Sequence, residues 1–392
     1  MKELLVLDHV HWDREWYRPH EEFRARLLEL VEEVVSQLER GERPAFHLDG
    51  QTITIADVLE IRPELESRLS ALVRAGRLTV GPWHVLADNQ LVSGECLVRN
   101  LLIGRRWGRR LGGLAQDGYS PDAFGHPADL PRILLGFGLL TALVWRGAPP
   151  EHPRFRWRSP DGSEVFVVNQ RYHEAEVLWE EETAAERLRA FAAHEAERCP
   201  EGPWLLMNGG DHLMPRLPQD RADAAQRAIL IAVPVSLPAF FDAARRAVEH
   251  RPVPLIEGDL RHIGDRLTFL LPGTLSTRTY PKQANVRGQT MLTDWAEPLG
   301  VLSPSPEGPG CCGMPGSWWC RTPPTTRSAG AARTTYTSRT SSAPHASNSS
   351  PNISAREPFI GSACGHNAPA QLRPVPPRSQ CSTRMPARHP GR

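Results

Sequence analysis

A short apolar run near the start of the chain is followed by a dense polar and aromatic stretch, Leu4-Leu5-Val6-Leu7-Asp8-His9-Val10-His11-Trp12-Asp13-Arg14-Glu15-Trp16-Tyr17. A continuous apolar run of this length is typical of a strand buried on both faces. His11 and Asp13 are two residues apart, so in an extended segment their side chains leave one face and can reach one cation. Imidazole and carboxylate ligands suit zinc and related divalent metals. A hydrogen-bonded His–Asp pair at a strand end is the simpler alternative.

The pattern on either side of this stretch predicts an α/β fold. Strand-like and helix-like segments alternate up to about residue 262, which indicates a mostly parallel sheet with helices outside it, open or closed as a barrel. Ligands in such folds bind beyond the carboxyl ends of the strands. The strand-like segments are residues 4–7, 45–48, 78–80, 141–145, 165–169 and 204–207, and the helix-like ones are 23–38, 56–74, 95–110, 181–197 and 219–231.

Two further polar clusters carry candidate carboxylates, and the second follows the strand-like segment 204–207. Each surrounds one carboxylate with turn-forming residues, and their sequences are Tyr119-Ser120-Pro121-Asp122-Ala123-Phe124-Gly125-His126 and Met207-Asn208-Gly209-Gly210-Asp211-His212. Asp122 can equally be the N-cap of a following helix, and Gly-Gly-Asp can be a plain turn. Because the carboxyl ends of parallel strands share one edge of a sheet, the three clusters together predict a site at that edge.

Length, charge and hydropathy exclude several classes of protein. The chain has 392 residues, 40% of them hydrophobic, which is enough to bury a sizeable core. The net charge of +1 gives no electrostatic case for binding nucleic acid. No run of eighteen apolar residues is present to span a membrane, and no secretory signal pattern occurs. We therefore expect a cytoplasmic protein with no nucleic-acid or membrane partner.

Several motifs resemble those of the bacterial alpha-mannosidases of glycoside hydrolase family 38. Their order and spacing hold over roughly the first 300 residues, which is far more specific than one motif alone. Besides the stretch from His9 to Tyr17, they are Phe46-His47-Leu48-Asp49-Gly50-Gln51-Thr52, Gly81-Pro82-Trp83, Leu91-Val92-Ser93-Gly94-Glu95, Asp122-Ala123-Phe124-Gly125-His126, Leu271-Pro272-Gly273-Thr274-Leu275-Ser276-Thr277-Arg278 and Lys282-Gln283-Ala284-Asn285.

The resemblance implies a retaining, zinc-dependent alpha-mannosidase built on an irregular, seven-stranded, barrel-like β/α domain. It implies that His11, Asp13 and Asp122 bind one zinc ion and that Asp122 is also the nucleophile. Asp211 matches the family's proposed general acid/base. A retaining glycosidase needs two such carboxyl groups, one to form a glycosyl ester and one to protonate the leaving oxygen.

The resemblance also implies a small mannose-containing carbohydrate as substrate. Trp16 matches a tryptophan that stacks on the sugar, although an isolated tryptophan is more often a packing residue. Arg146 matches an arginine that steadies the nucleophile. Two alternatives remain at this point, a metal-dependent polysaccharide deacetylase and a mannose-binding protein without turnover.

The sequence departs from the family after residue 302. The family's fourth zinc ligand is a histidine in an Asn-x-Pro-His-Asp-Ser-Ile-Cys-Gly-Cys-Ser stretch, and no such stretch follows Leu302. From Trp318 onward, the codons that the genetic code allows for these residues can encode that motif when they are read one base out of frame. We therefore hypothesise a one-base frameshift between about Leu302 and Cys311, which resequencing of the gene would test.

This departure sets the expected domain organisation: a catalytic α/β domain at 1–262, an incomplete start of a helical middle domain at 263–302, and a tail at 303–392. The tail has two acidic residues, ten arginines and 15 prolines, a composition that predicts disorder. His126, His212 or water would complete the zinc coordination, with water favoured. We also expect exposed apolar side chains at Leu292, Trp295 and Leu299, with Leu302 just beyond, and weak or absent activity.

Overall fold

A computed structural model describes residues 2–174, 178–179, 182–263 and 270–302 of the chain, and the tail predicted at 303–392 lies outside these ranges. The described residues all belong to one compact unit. Its strands are β1 (Lys2–Val10), β2 (Phe46–Leu48), β3 (Leu78–Thr79), β4 (Gly118–Ser120), β5 (Thr141–Val144), β6 (Arg154–Arg158), β7 (Glu164–Asn169), β8 (His173–Glu174), β9 (Trp204–Gly209), β10 (Leu230–Pro234) and β11 (Leu255–Glu257).

The helices alternate with these strands. They are α1 (His20–Arg40), α2 (Ile53–Ile61), α3 (Glu66–Arg74), α4 (Gly94–Leu111), α5 (Leu130–Gly136), α6 (Ala184–Arg198), α7 (Pro218–Arg227), α8 (Leu237–Val248), α9 (Thr279–Thr290) and α10 (Glu297–Leu302). A π-helical segment, Met291–Ala296, joins the last two. No helix within the described ranges is long and apolar enough to cross a membrane.

Two predicted helices have different bounds in the structure. The helix predicted at 56–74 is divided into α2 and α3 because Pro63 lacks an N–H group and disfavours helical backbone at the residue before it. The helix predicted at 219–231 ends at Arg227 instead. Ile229 has a φ of 62°, and the strand β10 then begins at Leu230, which pairs with β1. Tertiary pairing therefore overrides the helical pattern there.

The strands form two mostly parallel sheets, which confirms the α/β class. The first has the order β3-β2-β1-β9-β8, with β10 also paired to β1, and the second has the order β11-β6-β7-β5-β4. Among the described pairs only β6 and β7 are antiparallel. We expected seven strands in one irregular barrel. The described strands form sheets of six and five, because β4, β6, β8, β10 and β11 add to the predicted strand-like segments.

The central strand β1 explains where the site lies. Its residues Leu4 to Asp8 pair with β9, and its end, His9–Val10, pairs with β2. Leu4, Leu7 and Val10 are fully buried, as the continuous apolar run predicts. Polar residues follow β1, β2 and β9 in the first sheet and β4, β5 and β7 in the second, and these six strand ends supply the residues described next.

The segment from α9 to α10 carries exposed apolar side chains. Trp295, Leu299 and Leu302 are 57%, 57% and 81% exposed, which confirms the expectation for these residues. Leu292 is half-buried, so the expectation of an exposed side chain is not met at this residue. Arg99 of α4 donates to Glu297 at the start of α10 with an N···O distance of 2.7 Å, so a polar contact joins this segment to the α/β domain.

Candidate active site

His11, Asp13 and Asp122 lie close enough together to bind one cation. Their candidate ligand atoms are all within 4.8 Å of one another. The Nε2 atom of His11 is 3.8 Å from Oδ1 of Asp13 and 3.5 Å from Oδ2 of Asp122. Asp13 follows β1 and Asp122 follows β4, so the end of one strand from each sheet meets here. These are the three residues that the sequence predicts as metal ligands.

Asp49 lies behind His11 and fixes its ring. The Nδ1 atom of His11 is 3.4 Å from Oδ2 of Asp49, which leaves Nε2 directed at Asp13 and Asp122. Asp49 is fully buried and accepts hydrogen bonds from the backbone N–H of Trp12 at 3.0 Å and from the Gln51 amide at 2.8 Å. Metal-ligating histidines commonly have a carboxylate partner of this kind. Sequence reasoning gave Asp49 no role, although its motif after β2 was noted.

One oxygen of Asp122 is held by two donors. Arg146 donates to Oδ1 from Nε at 2.6 Å, and the Tyr172 hydroxyl donates to the same oxygen at 2.9 Å. Burial alone would raise the pKa of Asp122, but Arg146 and His11 lower it well below its ordinary value. The carboxylate therefore stays ionised. Arg146 lies where the sequence predicts it, whereas Tyr172 was missed because a lone tyrosine after β7 has no distinguishing pattern.

The charges around His11 fit a divalent cation. Burial, together with Asp122, Asp211 and Asp49, raises the pKa of Asp13 to about 7 even though His11 opposes the shift. Burial would lower the pKa of His11, yet Asp49, Asp122 and Asp13 raise it well above its usual value. Nε2 of His11 is buried without a hydrogen-bond partner in the described structure. The carboxylates thus require positive charge at Nε2, and a proton or a metal ion can supply it.

Backbone pairing places Asp211 beside His11. The N–H of His11 donates to the Gly210 carbonyl at 3.0 Å, and the N–H of His212 donates to the His11 carbonyl at 3.0 Å, so β1 and β9 continue their parallel pairing past their ends. Gly209 has no room for a side chain, because a Cβ atom there would lie 2.0 Å from the His9 carbonyl oxygen. The half-buried Asp211 is the second carboxylate that the sequence predicts here.

Neither His126 nor His212 belongs to the metal-capable group found in the described residues. Nε2 of His212 accepts a hydrogen bond from the backbone N–H of Asp13 at 3.0 Å, and its ring stacks on Phe23. Nδ1 of His126 is 3.0 Å from the Asn89 amide nitrogen. The alternatives in which one of these histidines supplies the fourth ligand are therefore not supported by the geometry.

Trp16 lies at the edge of this site. Its ring centroid is 6.1 Å from that of His212 and 5.1 Å from that of Tyr17. The indole is half-buried and packs against the apolar cluster that lies under α1. The half-buried indole therefore fits both interpretations of this residue, a packing side chain and a side chain that stacks on a sugar.

The sequence profile described as "Glycosyl hydrolases family 38 N-terminal domain" matches residues 1–227, more than half of the chain. The chain belongs to glycosyl hydrolase family 38. It is 33% identical over 318 residues to a putative mannosylglycerate hydrolase of Halalkalibacterium halodurans, a match that covers 76% of this chain and 36% of that protein.

Two solved structures from Enterococcus faecalis agree with this assignment. An alpha-mannosidase superposes with a TM-score of 0.67 at 32% identity, covering 74% of this chain and 34% of that one. A second family 38 protein gives a TM-score of 0.58 at 29% identity, covering 74% and 31%. The chain thus spans about a third of the length of these relatives. Family membership favours the glycoside hydrolase interpretation over the deacetylase alternative.

Proposed function

We propose that this chain carries the catalytic site of a zinc-dependent, retaining alpha-mannosidase that hydrolyses terminal alpha-linked mannosides. One observation carries the proposal: His11, Asp13 and Asp122 meet at a point where Arg146 and Tyr172 also donate to Oδ1 of Asp122. A carboxylate with both a metal-ligand position and fixed donors on its other oxygen suits a nucleophile.

The three converging side chains would hold the zinc ion. Zinc accepts imidazole nitrogen and carboxylate oxygen, and these residues offer one nitrogen and two carboxylate groups, so water completes a four-coordinate site. When bound, the ion supplies a fixed positive charge that binds sugar hydroxyls and favours distortion toward the transition state. Asp49 keeps the His11 ring in the orientation that this requires.

Asp122 performs the covalent step in this proposal. One of its oxygens attacks the anomeric carbon and forms a glycosyl ester while the glycosidic carbon–oxygen bond breaks. Arg146 and Tyr172 hold the carboxylate in place during the attack, because both donate to Oδ1. Arg146 and His11 also keep the group ionised beforehand, as a nucleophile requires.

Asp211 supplies and recovers the proton. Its carboxyl group donates a proton to the leaving oxygen in the first step, and its carboxylate then takes a proton from the water that hydrolyses the ester. The two displacements at the anomeric carbon return the starting configuration. Trp16, with one accessible face, offers an apolar ring to the C–H face of the sugar.

The leaving group, which lies on the other side of the scissile bond from mannose, differs between the substrates named for the relatives. The Halalkalibacterium halodurans relative is named a putative mannosylglycerate hydrolase and the Enterococcus faecalis one an alpha-mannosidase. Mannosylglycerate and simple mannosides therefore both belong in the substrate panel for this chain.

The test is to purify the chain and measure bound zinc together with release of nitrophenol from 4-nitrophenyl alpha-mannoside. About one zinc per chain, turnover, and a first product with the alpha configuration by proton NMR support the proposal. Zinc and mannose binding without turnover, unchanged when the reading frame is repaired, would favour the non-catalytic binding protein. Turnover that persists after complete chelation of zinc would contradict the metal requirement.

A further inference from the structure

A buried charge cluster lies on the side of β1 away from the metal ligands. Asp8 is 3% exposed, and two guanidinium groups, those of Arg43 and Arg221, donate to its carboxylate. Both arginines are at most 1% exposed. The side-chain amide of Asn208 donates to Oδ1 of Asp8 at 2.7 Å. We call these four residues the Asp8 network.

The three donors of this network also hold three consecutive carbonyl groups. Arg43 donates to the carbonyl of Pro215 at 2.7 Å, Asn208 to that of Arg216 at 3.3 Å, and Arg221 to that of Leu217 at 3.3 Å. These carbonyls belong to residues 212–217, the loop between Asp211 and α7, which we call the 212–217 loop. The loop is therefore held by side chains from β9, α7 and the segment between α1 and β2.

The other end of the same loop is fastened to the metal-binding segment. The N–H of His212 donates to the His11 carbonyl at 3.0 Å, and Nε2 of His212 accepts from the N–H of Asp13 at 3.0 Å. Asp211 thus lies directly before a loop that is held to the site at one end and to Asp8 at the other. Its position follows from both attachments.

We propose that the Asp8 network positions Asp211 for proton transfer to the leaving group, which rests on the proposed function. These four residues are positioning residues, because they touch neither substrate nor the reacting atoms and act through the loop. Asp8 accepts hydrogen bonds from the three donors, and these donors in turn hold the carbonyl groups of the loop that follows Asp211. Even a small displacement of a general acid slows the proton transfer to the leaving group.

Arg43→Met is the variant that separates this role from folding. It removes the bond to Pro215 yet leaves Asp8 paired with Arg221 and Asn208, so no unpaired charge is buried. The matched control is Arg154→Met, which removes a buried arginine that donates to the carbonyls of Gly202 and Pro203, just before β9. Arg43→Lys serves as the conservative variant, because it keeps a cation beside Asp8.

The first measurement is tryptic cleavage after Arg216, an exposed residue inside the fastened loop. The rate is normalised to cleavage after Arg74, which is exposed at the end of α3 and is followed by Ala75. We expect the ratio to rise about tenfold or more in Arg43→Met, less in Arg43→Lys, and not at all in Arg154→Met. An unchanged ratio in Arg43→Met overturns the proposal, and an equal rise at both sites would show general unfolding and overturn it too.

The second measurement compares two substrates. Mannobiose needs a proton on its leaving oxygen, whereas 2,4-dinitrophenyl alpha-mannoside has a leaving group that departs without one. We expect Arg43→Met to lower kcat/KM about tenfold or more on mannobiose and less than about threefold on the activated substrate. Equal losses on both would overturn the positioning of Asp211. If the wild-type chain cleaves neither substrate, and still cleaves neither when the reading frame is repaired, the proposed function fails. The tryptic ratio then still supports or refutes the fastening of the loop.

Discussion

At the scale of single residues, Asp122 illustrates how one carboxylate serves two demands. Its Oδ1 accepts from Arg146 and Tyr172, and its Oδ2 faces His11 at 3.5 Å. The two donors hold Oδ1 in place, which leaves Oδ2 for the cation side of the site, and Arg146 and His11 keep the group ionised. Such division between the two oxygens requires donors from strands that are distant in sequence.

Tyr172→Phe is expected to lower kcat/KM for an alpha-mannoside by about tenfold to a hundredfold, since a hydrogen bond to a charged group contributes about 1.5–3 kcal/mol. Zinc content should remain unchanged, because Tyr172 donates to Oδ1 and not toward His11. Steady-state kinetics with metal analysis checks both. The control is Tyr280→Phe, at an exposed position of α9. Loss of zinc together with activity would contradict the assigned role.

Asp49→Asn is expected to weaken zinc binding about tenfold to a hundredfold, because the carboxylate behind a ligating histidine orients the ring and increases its basicity. Competition with a chromophoric chelator measures the affinity. Asp129→Asn, an exposed carboxylate at the start of α5, is the matched control. An affinity equal to that of the wild type would show that Asp49 only stabilises its own loop.

At the scale of elements, the loop from Asp122 to His126 depends on a distant segment. His126 and Leu260 exchange backbone hydrogen bonds of 3.1 and 3.0 Å. Gly125 has a φ of 98°, and a Cβ atom there would lie 3.1 Å from the Leu260 carbonyl oxygen, so only glycine suits this turn. His126 is fully buried, and burial lowers its pKa to about 4.

This buried histidine makes stability depend on pH. The unfolded chain takes up a proton on His126 near pH 6.5 and the folded chain only near pH 4, so stability falls as the pH drops from 6.5 toward 4. When the pH falls from 7 to 5, the free energy of unfolding should decrease by about 2 kcal/mol less in His126→Asn than in the wild type. Urea denaturation at both pH values checks this. The exposed His250→Asn should match the wild type, and an equal slope in His126→Asn would refute the prediction.

At the scale of the whole molecule, the segment from α9 to α10 presents an apolar surface. Tyr280, Met291, Trp295, Leu299 and Leu302 are all more than half exposed. Contiguous apolar patches of this kind are uncommon on monomeric proteins and promote association. Trp295, Leu299 and Leu302 are exposed as the sequence predicts, on the expectation that the segment lacks most of its packing partners, whereas Tyr280 and Met291 were not predicted.

Replacing part of this surface should reduce association and leave the site intact. The double variant Trp295→Gln/Leu299→Gln is expected to bind less 8-anilinonaphthalene-1-sulfonate and to self-associate less, with the thermal midpoint unchanged because neither side chain is buried. Dye fluorescence and sedimentation velocity measure these effects. Ile61→Gln removes an exposed apolar side chain from α2 and should change neither. A lowered midpoint in the double variant would show that the segment packs in solution.

The sequence predicted local features well and distant partners poorly. His11, Asp13, Asp122 and Asp211 were located by polar motifs and Arg146 by the family resemblance. The structure brings His11, Asp13, Asp122 and Arg146 into contact and pairs the backbone of Asp211 with His11. The strand β10 was missed because its segment matches a helical period until β1 is available as a partner. Pattern alone therefore fails where pairing between distant segments decides the structure.

By itself, the sequence determined the α/β alternation, the burial of β1 and the motifs that carry the family. These depend on residues near one another in the chain, where spacing fixes which face a side chain occupies. Only the tertiary structure showed Asp49 behind His11, Tyr172 on Asp122, and Asp8 beneath the 212–217 loop. Those contacts join residues separated by dozens to hundreds of positions, and their geometry exists only once the strands that carry them have paired into sheets.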